Sequence, residues 1–415
     1  MSNPWLEKCR KLDRYRWLLL RERHGFWGSV VRFARDAARD WLWGVRAMRR
    51  LAKKPQGESC DFLLLQSTAK VVPLQRKRLL KEALVARGHS LVETALPEPS
   101  EMLQQRMLRQ PPFSVTARYF AYAAHAQWLV ECYQPRILLN DRNGSLYSPF
   151  LRLALNDRQS LLVHLAHATT VEVSQRLGMN DYDYYFLFGR SSLEALQART
   201  LRFGSSTAVL AGSHMIDSTY DLAPANPGLR TVLILGVGPD KEKEPGYRAT
   251  YQLIMEWSRR YPEYRVLIKA HPRSQVPFWV KAAGELSQLA VLPRNCHLAE
   301  ALGQVSLVIN IMSNAVIEAS LARRPVIYVN ASDEKDLFAQ ERFFGACVSS
   351  VDALQARIET AECDYPAALG RSQAFAEYHL AYGCNGLANN LDALDVLLKG
   401  RPLLGSTQRL CSTLE

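Results

Sequence analysis

Short apolar runs, each followed by a polar turn and then by a stretch with helical spacing, recur along most of this chain of 415 residues. Runs rich in Val, Ile and Leu are typical of strands buried on both faces. Their alternation with helices predicts a parallel sheet covered on both sides. The predicted strands are residues 61–66, 90–94, 136–140, 160–165, 184–188, 207–211, 231–236, 265–270, 306–310 and 325–329.

The strands fall into two groups, because residues 222–228 contain two prolines and one glycine that interrupt the alternation. A chain of this length also exceeds one ordinary core. We therefore predict an α/β fold of two Rossmann-like domains facing a cleft, with an N-terminal basic helical extension. The boundaries are an extension over residues 1–56, a first domain over 57–221, a second domain over 222–395 and a tail over 396–415.

The composition is that of a soluble globular protein, with 48% hydrophobic and 22% charged residues. The eight cysteines are scattered and none forms a Cys-x-x-Cys pair, which argues against a zinc or redox motif and fits a reducing cytoplasm. No apolar run approaches the roughly eighteen residues of a membrane span. The N-terminus also lacks the apolar core of a signal peptide.

Positive charge is concentrated in residues 1–54, which hold fifteen Lys and Arg against five Asp and Glu, or +10 of the total +12. Five of the eight tryptophans lie in the same segment, at helical spacing with Leu and Val. That composition is typical of a helix at a membrane interface. It also fits a helical cap on the first domain with solvated arginines. A nucleic-acid arm is disfavoured, because no binding fold accompanies the charge.

His271, Pro272 and Arg273 end one predicted strand of the second domain. Proline stops the strand ladder, while histidine and arginine can donate hydrogen bonds to an anion. In open α/β sheets ligands bind beyond the carboxyl ends of the strands. The alternative is a histidine that only bonds a backbone carbonyl at the strand end.

Ser313 and Asn314 lie between a strand and a helix predicted over residues 315–322. Both are good N-cap residues, and the same helix terminus could hold a phosphate. Glu318, one turn into that helix, could accept from ribose hydroxyls, although it could equally be a solvated glutamate. Gly236 and Gly238 follow the first strand of this domain and can line a phosphate, but the third glycine of a dinucleotide fingerprint is missing.

In the first domain, His167 lies at a turn after a strand and is the candidate general base. Asp141, in the loop after the preceding strand, is the rival base, although Asp and Asn there can simply form a turn. His164 falls within the strand pattern, which favours a structural role. Gly-x-Ser-x-Gly, P-loop and metal-binding histidine patterns are absent, which disfavours a hydrolase triad, an NTPase and a metalloenzyme.

Together these residues resemble the bacterial surface-polysaccharide transferases of GT-B architecture. The relevant families are capsule polysaccharide biosynthesis proteins that transfer Kdo, sialyltransferases with a His-Pro motif, and CDP-glycerol glycerophosphotransferases. His271-Pro272 matches their His-Pro element, and Ser313-Asn314 stands at their Ser-Ser or Ser-Thr pair, with Asn for the second hydroxyl. His167-Ala168-Thr169 resembles the His-Gly-Thr element of the glycerophosphotransferases, with Ala for Gly. The segment from Tyr382 to Gly386 resembles the tail of the capsule proteins.

The resemblance implies a metal-independent glycosyltransferase with no cofactor. The second domain would bind a nucleotide-sugar donor, with a CMP-linked sugar such as CMP-Kdo favoured. The first domain would bind a glycan or lipid-linked acceptor of a lipopolysaccharide or capsule. The resemblance spans roughly residues 60–395 and does not cover residues 1–54. The charge and tryptophans of that segment predict a cytoplasmic protein that is peripheral on the inner face of an anionic membrane. The alternatives are a CDP-glycerol-type glycerophosphotransferase and a non-catalytic scaffold at the membrane.

Overall fold

Two separate sheets organise the chain, one of seven strands and one of five. The structure, a computed structural model, describes residues 3–52, 57–169, 175–332, 334–403, 405 and 407–412. The first unit comprises Met1–Met215 with Leu387–Glu415, and the second unit comprises Ile216–Gly386. These units differ from the predicted domains, because the extension belongs to the first unit and the chain returns to it after Gly386. Residues 53–56, at the end of the predicted extension, lie outside the described residues.

The sheet of the first unit has the strand order β12-β6-β5-β4-β3-β1-β2. All neighbours pair in parallel except β12, which runs antiparallel to β6 at the sheet edge. The strands are β1 (Phe62–Gln66), β2 (Leu91–Ala95), β3 (Ile137–Asn140), β4 (Leu161–Leu165), β5 (Tyr184–Leu187), β6 (Ser205–Leu210) and β12 (Thr407–Cys411). The helices of this unit are α1 (Pro4–Met48), α2 (Arg78–Ala86), α3 (Pro99–Gln104), α4 (Ala117–Tyr133), α5 (Ser148–Asn156), α6 (Arg190–Ala198) and α14 (Gly386–Leu398).

The basic extension folds as a helical hairpin. Gly25 interrupts α1 with φ 61° and ψ −170°, a left-handed conformation that glycine adopts without strain. The first arm is residues 4–24 and the second arm is residues 26–48. The arms run antiparallel, because Trp17 packs edge-to-face on Phe33 at 5.6 Å and Arg16 pairs with Asp40 at 2.6 Å.

The open ends of the hairpin are part of the folded core. Trp5, Cys9 and Leu12 of the first arm and Ala47 of the second are fully buried. Lys8 of the first arm forms a 2.6 Å ion pair with a buried aspartate of the first unit. The interpretation of residues 1–54 as a helical cap is therefore correct for the open ends of the hairpin.

The sheet of the second unit is wholly parallel, in the order β11-β10-β7-β8-β9. Its strands are β7 (Thr231–Leu235), β8 (Arg265–Lys269), β9 (Leu289–Val291), β10 (Leu307–Asn310) and β11 (Val326–Tyr328). The helices are α7 (Pro245–Arg260), α8 (Pro277–Glu285), α9 (Leu298–Gly303), α10 (Val316–Leu321), α11 (Gln340–Phe344), α12 (Val351–Cys363) and α13 (Tyr365–His379). The central strands are buried throughout, as their continuous apolar sequence predicts.

The sequence predicted ten strands, and each is present within two residues of its predicted bounds. Two strands and one helix were missed. The missed strands β9 and β12 lie at sheet edges. Strand β9 is apolar but has only three residues, and β12 is mostly polar and buries only Leu410. The sequence also predicts a helix near residues 352–361, which is present as α12, whereas the following helix α13 was missed. The sequence predicts one helix over residues 73–87, but α2 begins only at Arg78, after a 3₁₀ turn over Ala69–Leu74.

Candidate functional site

Three loops of the second unit meet at the carboxyl edge of its sheet, because β10, β7 and β8 are neighbours. The chain proceeds from β7 to β8 and β9 in one direction, while β10 and β11 lie on the other side. Strand order therefore reverses between β7 and β10. In open α/β sheets a crevice opens at such a switch point, and ligands bind there.

The two glycines after β7 bring its loop against the loop after β8. The Gly236 N–H donates to the Lys269 carbonyl at 2.9 Å. A Cβ at Gly236 would lie 3.0 Å from the backbone nitrogen of His271. A Cβ at Gly238 would lie 3.7 Å from Nη2 of Arg273. The structure thus places Gly236, Gly238, His271 and Arg273 together, and a side chain at position 236 would force the loops apart.

His271 presents one ring nitrogen as a hydrogen-bond donor. Its Nδ1 accepts from the Arg273 backbone N–H at 3.2 Å, so the neutral ring carries its proton on Nε2. Burial, followed by the nearby Arg273 charge, lowers the pKa of His271. The imidazole is therefore a neutral donor near pH 7. Its ring does not bond a carbonyl among the described residues, which removes the alternative raised by the sequence.

Arg273 supplies the positive charge at this edge. It is exposed, and the described part of the chain offers its guanidinium no ion-pair partner. Pro272, between the two donors, is also exposed and ends the ladder of β8. A neutral N–H donor beside an unpaired guanidinium suits a phosphate, which accepts several hydrogen bonds and carries negative charge.

Ser313 and Asn314 form the turn between β10 and α10. The Ser313 N–H donates to Oδ1 of Asn310 at 3.1 Å, and the Asn310 amide donates to the buried Gln340 at 2.7 Å. Helix α10 begins only at Val316 and has six residues, with no side-chain cap. Ser313 and Asn314 therefore do not cap the helix, and the helix is shorter than the predicted 315–322.

Glu318 is a partly buried carboxyl group on α10. Burial raises its pKa to about 7, well above the ordinary value of 4.5. Tyr220 is its neighbour, since burial and then the Glu318 charge raise the pKa of the Tyr220 phenol. A carboxyl group with a pKa near 7 can either donate to or accept from a sugar hydroxyl, depending on pH.

In the first unit the two candidate bases have different surroundings. Asp141 forms an ion pair with Lys77, whose side chain is 2% exposed. Lys77 also donates to Oε1 of Gln66 at 3.4 Å, so it is held on the β1 side of the sheet. His167, after β4, is exposed. Thr169 of the proposed His-Ala-Thr element is buried, and residues 170–174, which follow it, lie outside the described residues.

Two buried histidines lie near His167. His164 is fully buried, bonds Asn140 through Nδ1 at 2.5 Å and stacks on Tyr182 at 4.3 Å. His214 is also buried, and burial lowers its pKa to about 3. Burial lowers the pKa of His164 as well, with a further contribution from the His167 charge. Both rings are therefore neutral, which agrees with the structural role predicted for His164.

Sequence reasoning missed Lys77, Gln340 and Tyr220. Lys77 pairs with Asp141, and Tyr220 neighbours Glu318. Gln340 bonds Asn310, whose side chain accepts from the Ser313 N–H. Each partner is distant in the chain, and none lies in a motif. Among the described residues no group of three or more His, Cys, Asp or Glu side chains is placed to hold a metal ion. None of the helices in the described ranges is both long and apolar enough to span a membrane.

No family model matches the chain, and no curated protein matches it either. Solved structures do. A proposed UDP-N-acetylglucosamine 2-epimerase of Listeria monocytogenes has a TM-score of 0.53 at 12% identity, covering 84% of this chain and 100% of its own. A second UDP-N-acetylglucosamine 2-epimerase has a TM-score of 0.52 at 12% identity, covering 85% and 99%.

The S. aureus MnaA protein, determined with UDP, has a TM-score of 0.52 at 10% identity, covering 83% of this chain and 100% of its own. Identities this low establish a shared fold only. The predicted α/β fold of two Rossmann-like domains is thereby confirmed, because two sheets, parallel except for β12, are present and the similar structures are GT-B proteins. The chain is therefore similar, across more than four-fifths of its length, to enzymes of GT-B fold.

Proposed function

We propose that this protein is a glycosyltransferase that uses a nucleotide-activated sugar to build a cell-surface glycan. One observation carries the proposal. Gly238, Arg273 and His271 converge at the ends of β7 and β8, beside the point where the strand order of the second unit reverses between β7 and β10. That edge offers an unpaired guanidinium, a neutral N–H donor and glycine backbone that a diphosphate or monophosphate can approach closely.

In the proposed reaction the bond from the anomeric carbon to the donor phosphate breaks, and a bond from the acceptor oxygen to that carbon forms. Negative charge grows on the leaving nucleotide phosphate as the first bond breaks. Fixed donors aimed at that charge stabilise the transition state. Arg273 and the Nε2–H of His271 are the donors, and Glu318 takes the ribose hydroxyls.

The acceptor hydroxyl must lose its proton, and His167 of the first unit is the proposed base. Its exposure favours that role, because a base has to reach the substrate. Asp141 is the weaker candidate, since its carboxylate already pairs with the buried Lys77. The neutral His164 and His214 add no competing positive charge around His167.

The donor nucleotide separates the competing hypotheses. The motif resemblance favours a CMP-linked sugar such as CMP-Kdo, whereas the similar structures concern UDP-N-acetylglucosamine or UDP. CDP-glycerol would indicate the glycerophosphotransferase alternative. A scaffold protein would use no donor at all, and the Asn314 and Ala168 departures from the family motifs are what favour that alternative.

We also propose that the closed end of the hairpin binds an anionic membrane. Trp27, Phe26 and Val31 are 77%, 53% and 67% exposed there, an unusual set of large apolar side chains for a solvent-facing turn. Arg21 and Arg32 are exposed at the same end. Aromatic residues flanked by arginines are typical of surfaces that enter the lipid headgroup region. A lipid-linked acceptor would then be within reach of the enzyme.

The function is tested by thermal-shift measurements with CMP-, CDP-, UDP- and GDP-linked donors, followed by product analysis with the donor that binds. Ligand binding to the folded state raises the unfolding temperature by mass action. Transfer of a radiolabelled sugar to membrane-extracted glycan supports a transferase. Conversion of the free nucleotide sugar to its epimer supports an epimerase. Absence of stabilisation by every nucleotide contradicts the proposal and favours the scaffold.

A further inference from the structure

The first unit contains a large open cavity that the proposed donor site does not use. Its volume is about 910 Å³, within the range of ligand-binding clefts. Its floor consists of the loops that follow the carboxyl ends of β1, β2 and β3, including residues 142–147. Its wall is the second arm of the hairpin, from Arg39 to Arg46. The extension thus completes a cavity at the edge where α/β sheets bind ligands.

Two unpaired arginines from different elements line this cavity. Arg46 comes from the hairpin and Arg142 from the loop after β3, and both are exposed. Within the described ranges neither guanidinium has an ion-pair or hydrogen-bond partner. Arg39 adds a third guanidinium, which lies 3.9 Å from Asp36 and is 74% exposed. A guanidinium matches carboxylate and phosphate geometry.

Acidic residues of the cavity do not cancel this charge. Asp40 lines it but is buried and neutralised by Arg16 at 2.6 Å, with Arg118 3.7 Å away. Glu98, at the rim, is the other lining acid. The two unpaired arginines, Arg46 and Arg142, therefore exceed the one unpaired acid in number, and the side chains that line the cavity carry net positive charge.

Three aromatic rings in mutual contact also line the cavity. Trp43 lies edge-to-face on Tyr122 at 4.8 Å, and Tyr122 lies edge-to-face on Tyr147 at 5.0 Å. Burial raises the pKa of Tyr122 to about 12, and burial likewise raises the pKa of Tyr147. Both phenols remain neutral near pH 7. Amphipathic rings beside charged donors suit a ligand that has apolar faces, hydroxyls and an anionic group.

We propose that this cavity binds an anionic saccharide, meaning a sugar that carries a carboxylate or a phosphate, as the acceptor. That the bound saccharide is the acceptor rests on the proposed function, whereas its binding to the cavity does not. Arg46 and Arg142 hold the anionic group, and the aromatic surface around Trp43 packs against the sugar ring. Because Arg46 and Trp43 belong to the hairpin, the element with the exposed apolar tip also recognises the acceptor.

The test is isothermal titration calorimetry on the full-length protein with three probes. These are a hyaluronan hexasaccharide, the same hexasaccharide with its carboxylates reduced to alcohols, and glucose 6-phosphate. The first and third probes distinguish a carboxylate ligand from a phosphate ligand. The second is the neutral control of equal size. Each probe is measured on the wild type, on the double variant R46Q/R142Q and on R158Q, which removes an exposed arginine at the far end of α5.

We expect at least one anionic probe to bind tenfold or more tightly than the neutral hexasaccharide. The double variant should lose that advantage, while R158Q should keep it. The single charge reversal R46E provides a second route if the double variant unfolds at a lower temperature. Equal binding of charged and neutral probes, no binding of either anionic probe, or an equal loss in R158Q would overturn the proposal. Nucleotide binding, measured in parallel, decides the proposed function separately.

Discussion

The side-chain ammonium of Lys77, buried before α2, forms an ion pair with the carboxylate of Asp141, which lies 64 residues later in the chain. The pair joins the segment before α2 to the loop after β3, and that loop also forms the floor of the cavity lined by Arg142. A buried ammonium needs this partner, because an uncompensated charge inside a protein is strongly destabilising. Asp141 therefore has a structural role whichever reaction the protein catalyses.

Asp141→Asn should destabilise the first unit by about 3–5 kcal/mol, because it leaves the Lys77 charge buried without a counter-ion. The measurement is the thermal unfolding midpoint. Adding Lys77→Met removes the charge as well and should recover much of the loss. If Asp141→Asn unfolds like the wild type, the ion pair has no structural role and Asp141 returns as a candidate base.

His167→Ala should lower turnover about 10²–10⁴-fold, the usual contribution of a general base. Nucleotide affinity and the unfolding midpoint should not change, because His167 is exposed and the nucleotide is proposed to bind the second unit. The comparison with Asp141→Asn is informative, since that variant should lose stability and activity together. Normal turnover in His167→Ala would exclude it as the base.

His271→Ala should weaken nucleotide binding about tenfold to a hundredfold, the cost of a charge-assisted hydrogen bond of about 1.5–3 kcal/mol. The reason is that the Nδ1 of His271 already accepts from the Arg273 backbone N–H, so the Nε2–H is the ring's donor to a phosphate. Titration of the wild type and the variant with the donor identified by thermal shift gives the ratio. His24→Ala, at the exposed hairpin tip, is the matched control. Equal affinities for the wild type and His271→Ala remove His271 from the site.

Glu318 should make the second unit less stable as pH rises from about 4.5 to 7. Its pKa is about 7 in the folded protein against 4.5 ordinarily, so in this window the folded state keeps a proton that the unfolded chain has lost. Stability therefore falls with rising pH. A shift of this size corresponds to about 3 kcal/mol, reduced where solvent reaches the carboxyl group.

The variant Glu318→Gln cannot titrate and isolates this contribution. Between pH 5 and pH 8 the unfolding midpoint of the wild type should fall further than that of Glu318→Gln. If the unfolding midpoints of the two proteins change equally with pH, the Glu318 carboxyl group is solvated and the prediction is wrong. If the carboxylate accepts from ribose, nucleotide affinity of the wild type should also increase through pH 7, whereas that of the variant should not.

The hairpin tip should attach the protein to anionic vesicles. Full-length protein should sediment with vesicles containing phosphatidylglycerol and be released by high salt, which screens the attraction. Replacing Phe26, Trp27 and Val31 with Ser should abolish sedimentation. Replacing Arg21, Arg23 and Arg32 with Gln should weaken it by about 3 kcal/mol, at about 1 kcal/mol for each charge.

The control for the tip variants is Val85→Ser, which removes an exposed apolar side chain from α2. All variants should unfold at the wild-type temperature, because the changed side chains are exposed. Deleting residues 1–56 is a poor substitute, since it removes the buried Trp5 and Leu12 and should cause aggregation. Wild-type protein that stays in the supernatant would contradict the membrane proposal.

Much of the fold follows from local patterns in the sequence. Continuous apolar runs such as residues 231–235 predict buried strands wherever they occur, because a strand covered on both faces has no polar side. Polar residues that closely follow such a run lie near the end of a strand, and this pattern predicts the positions of His271 and Ser313 beyond β8 and β10. The need for glycine at position 236 is not local, since a side chain there would meet the backbone of Lys269 and His271 in the loop after β8.

The sequence alone could not decide which residues distant in the chain lie together in the fold. Strand order, and with it the switch point between β7 and β10, depends on which helices cover which face. The pairings of Lys77 with Asp141 and of Asn310 with Gln340 span 64 and 30 residues, and no local spacing encodes them. The same holds for the hairpin. Composition identified a basic, Trp-rich helical segment, but only packing against α4 and α5 determined which side chains are buried in the first unit and which remain exposed at the tip.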